Sequence, residues 1–307
     1  MDINCLLKNR FGRMIVAGVT ADYGIGEGVA GRLRSEYCRF SSKVFPDGES
    51  YLRLDKEMKG EDILLVQSMD SEQDKRLFEM LMAADAAVSA GASNVYGLVT
   101  YMAYARQDRS FRPGEPISAK VALRALHDAG ISRLAVIEPH KNEELSYFRG
   151  RAMPIEVLGS VASEAVKRTG AEKLIAPDYG SSERVKKIAD SLGIGWDYIE
   201  KKRSREDGSI SMEKGLERMD GMKALVLDDM ISTGGTAAQA ASEAISKGAA
   251  GAYVAAAHAL LVGGAYEKIR SAGASRIFGS NSTGSRSCEI VDVSHEAADA
   301  LSELIRD

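Results

Sequence analysis

Short apolar runs and amphipathic stretches alternate along nearly the whole chain. Residues 14–19, 63–67, 95–100 and 134–137 are continuous apolar runs of strand length, which predicts buried strands. Between them Leu77, Met80, Leu81, Ala84 and Val88 keep the spacing of one helix face. Residues 118–129 repeat that spacing, and Gly130 is a natural stop. A second series begins near Pro154. Its strands are predicted at 174–176, 196–199, 224–227 and 252–257, and its helices at 181–192, 237–247 and 265–272. Residues 295–306 form a further amphipathic helix. Continuously apolar strands alternating with helices belong to a mainly parallel sheet covered on both faces, so the fold class is α/β. The two series divide the chain into an N-terminal domain, 1–153, and a C-terminal domain, 154–307. LAVIEPH and KLIAPD each end a buried strand with Pro and a potential metal ligand, a weak sign of internal duplication.

Composition narrows the class. With 307 residues, 45% hydrophobic and 27% charged, the chain is long enough for two full cores. A net charge of −4 supplies no general attraction for nucleic acid, so any anion site is local. Cys5, Cys38 and Cys288 are odd in number and scattered, which excludes a CxxC-type metal site and suits a reducing, cytoplasmic setting. Residues 249–266 are almost free of charge, but His258 and several glycines interrupt them, which predicts a strand and loop, not a membrane span. Residues 1–13 carry charges and no apolar centre, and read as an appendage, not a secretory leader.

The densest chemistry lies at residues 224–236, ALVLDDMISTGGT. A short apolar strand runs into Asp228 and Asp229. Ser232, Thr233, Gly234, Gly235 and Thr236 then lead into an alanine-rich helix. Glycines let backbone N–H groups close on an anion, and a helix start adds unpaired donors. Two carboxylates beside such a cradle would repel a phosphate, so they face ribose hydroxyls or a hydrated Mg²⁺. Taken alone, the stretch also fits an acidic strand end followed by a helix cap.

Other stretches are ambiguous one at a time. Tyr104 to Arg109, YARQDR, follows a strand end, where ligands of such sheets bind; it is either a polyphosphate grip or a solvated loop. VFPDGE, residues 44–49, reads as a turn between two strands. His140 and Asp178 each stand at a strand end. PDYGSSER, residues 177–184, runs from a strand into a helix, a second anion cradle. EKKRSR, residues 200–205, is either a basic surface loop or a lid over transferring phosphates.

Read together, VFPDGE, ARQDR, PISAK, PH, PDYG, EKKR and DDMISTGGT occur in the order and spacing of ribose-phosphate diphosphokinases, archaeal members in particular. The resemblance covers residues 14 to 258 well and the C-terminal end more loosely. It implies two similar type I phosphoribosyltransferase-like domains. It also implies an enzyme moving the diphosphoryl group of Mg-ATP to the C1 hydroxyl of ribose 5-phosphate, with AMP as co-product. By the same resemblance, Asp228 and Asp229 meet the ribose, and Ser232 to Thr236 hold the 5-phosphate. Arg106, Gln107 and Asp108 match the ATP loop, and Phe45, Asp47 and Glu49 reach the adenine from a neighbouring subunit of a homo-oligomer. His140 and Asp178 match Mg²⁺ positions, with His140 on the ATP side, while Lys201 and Arg203 match the catalytic lid. Some positions depart from the pattern: Ser232 for a third Asp, Ser181 for a second Gly, a charged 141–148 segment and a Gly/Ser-rich 281–287. Nucleobase phosphoribosyltransferases share only the DDMISTGGT stretch, and a non-catalytic paralogue would have no use for the retained lid and metal positions.

Overall fold

The structure is a computed structural model that describes residues 14–203 and 210–306, with the side chains of 201–214 and 306 outside the description. The expected appendage, residues 1–13, also lies outside it, as does Cys5. Cys38 and Cys288 are free thiols.

The chain divides into two compact units. The first comprises residues 1–156, 282–284 and 292–307, and the second 157–281 and 285–291. In the first unit the strands are β1 Met14–Gly18, β2 Glu36–Arg39, β3 Ser41–Val44, β4 Ser50–Arg53, β5 Asp62–Ser68, β6 Val95–Tyr101, β7 Ile131–Ile137 and β8 Arg151–Ile155. Six form one parallel sheet ordered β2-β1-β5-β6-β7-β8, while β3 and β4 make a separate antiparallel hairpin. Helices α1 Ile25–Leu33, α2 Gln73–Ser89 and α3 Ser118–Asp128 cover it. Strands β5, β6 and β7 are buried nearly throughout because both sheet faces are covered, which is why they read as unbroken apolar runs.

The second unit repeats the plan. Helices α4 Leu158–Thr169, α5 Tyr179–Leu192, α6 Gly235–Ser246 and α7 Ala265–Ser271 accompany β9 Lys173–Ala176, β10 Gly195–Tyr198, β11 Glu200–Arg203, β12 Ile210–Lys214, β13 Lys223–Ile231, β14 Gly251–Ala259, β15 Ala274–Ser280 and β16 Glu289–Val291. The sheet order is β10-β9-β13-β14-β15-β16, again all parallel. Rank for rank it is the order of the first sheet, a far stronger sign of duplication than the paired sequence fragments.

The terminal helix α8, Ser294–Arg306, was expected in the second half but belongs to the first unit. Its apolar stripe of Ala297, Ala298, Leu301 and Leu304 is buried, it packs on α1, β7 and β8, and Arg133 donates to the Leu304 carbonyl. An amphipathic stripe declares that a helix will be covered, not by which sheet. Among the described residues no helix is long and apolar enough to cross a membrane.

Candidate active site

Each sheet has one point where the strand order reverses, and parallel sheets bind ligands in the crevice beyond the strand ends there. In the second unit it lies between β9 and β13. Their pairing ends at Ile175 and Val226, while β13 continues to Ile231. Asp228 and Asp229 were expected after the strand; they instead form part of its final stretch, beside β14 and past the last pairing with β9. The continuing ladder to β14, with Asp228 opposite Ala256 and Met230 opposite His258, keeps the backbone extended beyond the apolar run.

Asp178 follows β9 and caps α5: its carboxylate accepts from the Ser181 backbone N–H at 2.9 Å and the Ser181 hydroxyl at 3.1 Å. Ser181 thus serves the cap. Asp229 and Asp178 both act on Asp228. Burial, then the charges of Asp229 and Asp178, push the Asp228 carboxyl up to about 8. Asp228 also accepts from the Asp229 backbone N–H at 3.0 Å. Acidic groups held this closely favour a cation or hydroxyl donors in the crevice, since either stabilises the ionised form.

The loop after β13 enters α6 through Gly234, whose φ of +70° suits glycine. Gly234 is buried, whereas Thr233, Gly235 and Thr236 are exposed at the helix start. Exposed N–H groups there, beside small side chains, are the donors an anion needs.

In the first unit, Arg106, Gln107 and Asp108 follow β6. The Gln107 side chain accepts from the Ser118 hydroxyl and its carbonyl accepts from the Ala119 N–H at 3.3 Å, tying the loop to the start of α3. Asp108 pairs with Lys141, and its carbonyl accepts from the Tyr147 hydroxyl at 3.0 Å. Gln107 and Asp108 therefore brace the loop, while Arg106 and Arg109 are exposed. His140 is half-buried just past β7. Phe45, Asp47 and Glu49 form the exposed tip of the β3–β4 hairpin, closed by the Phe45 N–H bond to the Glu49 carbonyl at 2.8 Å. Lys43 lies 4.7 Å from the Phe45 ring centre, and Tyr51 meets that ring edge-on at 6.1 Å. Lys201 and Arg203, read from sequence as part of a basic surface loop or a lid, lie on β11, paired antiparallel with β12; their side chains are outside the description.

The structure gathers Asp178, Asp228, Asp229 and the Ser232–Thr236 loop within the second unit, and the hairpin, the arginine loop and His140 within the first. Among the described residues no group of three His, Cys, Asp or Glu side chains is arranged to hold a metal by itself. Among the described residues the buried acids Asp22, Glu79, Glu138, Glu144 and Asp197 escaped sequence reading, and two of them are instructive. Glu79 lies on the core side of α2, four residues before buried Ala83, and a Glu in that register was the available signal. Glu144 gave none.

Acidic strand end, glycine-bearing helix start and switch-point crevice, on a doubled parallel-sheet plan, define a phosphoribosyl-binding class of protein. Comparison with known proteins makes this specific. Residues 14–130 match the N-terminal domain of ribose phosphate pyrophosphokinase, and 160–290 the phosphoribosyl transferase domain. The ribose-phosphate pyrophosphokinase of Saccharolobus solfataricus is 38% identical over 94% of this chain and 100% of its own length. That of Methanopyrus kandleri is 33% identical over 95% and 99%. The crystal structure of phosphoribosylpyrophosphate synthetase from Mycobacterium smegmatis superposes with a TM-score of 0.84 over 96% of this chain and 99% of that one; at 24% identity it speaks for the fold. The chain belongs to the ribose-phosphate pyrophosphokinase family.

Proposed function

We infer that the chain is a ribose-phosphate diphosphokinase, converting ATP and ribose 5-phosphate to 5-phosphoribosyl 1-diphosphate and AMP. The observation that carries this is the full-length match through both domains, since a nucleobase phosphoribosyltransferase accounts only for the second. In the reaction the C1 hydroxyl oxygen attacks the β-phosphorus, and the bond from that phosphorus to the oxygen it shares with the α-phosphate breaks. The whole diphosphoryl group moves, and no covalent enzyme intermediate is required. Catalysis of this kind is chiefly positioning and charge stabilisation.

Asp228 and Asp229 receive the ribose hydroxyls, and the N–H groups of Ser232 to Thr236 hold the 5-phosphate. Burial and the neighbouring carboxylates raise the Asp228 carboxyl, and ribose hydroxyls or a cation beside it favour its ionised form. Arg106 and its loop bind the ATP phosphates, and Phe45, Asp47 and Glu49 meet the adenine of a neighbouring subunit, so the working form is a homo-oligomer of at least two chains. His140 in the first unit and Asp178 in the second would each be a Mg²⁺ ligand, and the ion when bound would neutralise phosphate charge. Lys201 and Arg203 cover the charge that develops during transfer. The setting is cytoplasmic.

Incubation with Mg²⁺, ATP and ribose 5-phosphate is expected to give AMP and phosphoribosyl diphosphate in equal amounts. Formation of ADP would indicate γ-phosphoryl transfer instead. Consumption of phosphoribosyl diphosphate with a free nucleobase, without use of ATP, would install the transferase reading.

A further inference from the structure

The duplicated plan gives the first unit its own reversal point, between β1 and β5. Here β5 ends on Gln67 and Ser68, not on an acidic pair. Gln67, fully buried at the end of β5, accepts from the Thr20 and Ala21 backbone N–H groups at 3.0 and 2.9 Å. Its amide nitrogen donates to the Thr20 hydroxyl at 2.8 Å. That hydroxyl, having accepted from Gln67, donates to Glu79 Oε2 at 2.5 Å. Arg76 donates to the same oxygen at 3.0 Å. The other oxygen, Oε1, accepts from the Ser50 hydroxyl at 3.0 Å. Where the second unit carries carboxylates near its strand end, the first ties the two strand ends together with side-chain hydrogen bonds.

Ser50 is the first residue of β4 and pairs directly with Val44, so it sits at the root of the turn carrying Phe45, Asp47 and Glu49. The tip itself has little apolar anchorage: Val44 is 53% exposed and Phe45 39%. We propose that Glu79, through Ser50, is a positioning residue for this hairpin, holding the turn against α2 and the end of β1. The proposal rests on the reading that Phe45 meets the nucleotide. A hydrogen bond to a buried charged acceptor is among the stronger kinds, and this one holds the root of the turn.

Removing Glu79 would leave the half-buried Arg76 with Glu72 alone and take the shared acceptor from the Thr20 hydroxyl, which threatens the fold. Ser50→Ala removes only the hairpin link, and Ser50→Thr restores a hydroxyl in a strand position that suits a β-branched residue. Once wild type is shown to form AMP, hydrogen–deuterium exchange over residues 41–53 and the KM of each substrate are measured for both variants. Ser50→Ala is expected to speed hairpin exchange and raise the Mg-ATP KM by about tenfold, the size of one such bond. The ribose 5-phosphate KM and kcat should stay within about twofold, and Ser50→Thr should recover most of the loss. Unchanged exchange in Ser50→Ala, a Thr variant no better than Ala, or an equal rise in both KM values would overturn the proposal. If wild type formed no AMP while Ser50→Ala still loosened the hairpin, the nucleotide role would fall and the anchor would stand.

Discussion

Glu144 shows what a single residue hides in a sequence. It follows Glu143 in a charged segment that reads as solvated surface, yet it is 2% exposed and neither carboxylate oxygen has a hydrogen-bond partner. The 3-10 turn Asn142–Tyr147 faces Glu144 and Leu145 inward and leaves Glu143 outside, a geometry that charge patterning does not reveal. Burial pushes its carboxyl from 4.5 up to about 7, with a charged His140 opposing the shift and Asp108 adding to it. The folded chain therefore holds this proton more tightly than the unfolded chain. Stability from this group is present below about 4.5 and falls as pH rises toward about 7. Glu144→Gln should consequently stabilise the protein at pH 8, by at most about 3 kcal/mol, and the gain should vanish as the pH approaches 4. Urea unfolding of both proteins across that range checks it; a gain independent of pH would mean that buried charge is not the cause. Asp228 and Asp229 were far easier to read, because two acids ending an apolar run advertise themselves.

At the scale of elements, the central strands and covered helices were legible and the edges were not. β2 (EYCR) and β8 (RAMPI) lie at sheet edges or carry exposed charges, so their apolar pattern is broken. Helix α4 packs through Val161, Ala162 and Ala165, and small residues give a faint stripe. The strand under the acidic pair ran longer than its apolar run, because backbone pairing to β14 does not require apolar side chains. The two loop glycines, alike in sequence, differ in cause. At Gly234 an added Cβ would come within 3.0 Å of Ile269 and 3.1 Å of Ala265, on top of the positive φ. At Gly235 it would meet nothing within 4 Å, and φ is ordinary. The fold needs the first glycine, whereas the second has a reason only in the proposed approach of the 5-phosphate. Gly234→Ala should cost roughly 1–3 kcal/mol of stability. Gly235→Ala should cost none and still raise the ribose 5-phosphate KM. Denaturation midpoints and substrate titrations separate the two, and equal destabilisation would remove the ligand argument for Gly235.

For the whole molecule, the matching sheet orders explain why apolar runs recur in two similar series, and why each carries chemistry just past its strand ends. The second unit carries an acidic pair near the end of β13 where the first ends β5 on Gln67 and Ser68, and the first contributes a hairpin, an arginine loop and His140. Division of labour between two copies of one plan leaves a question of assembly that a single chain cannot answer by itself. The proposed function places Phe45 in the site of a neighbouring subunit and Lys201 in the lid of its own. A chain carrying Phe45→Ala and a chain carrying Lys201→Ala are then each defective in every site of their own homo-oligomer. A mixed oligomer has some sites that draw Phe45 from one parent and Lys201 from the other, and those sites are intact. Mixing the two variants should restore a fraction of wild-type turnover, about one quarter for an equal mixture in random dimers, by the statistics of a shared site. Exchange of subunits is verified first, by mass or by fluorescence transfer between labelled chains. Hybrids that form and remain as inactive as their parents would place Phe45 in the site of its own chain, or outside the site altogether.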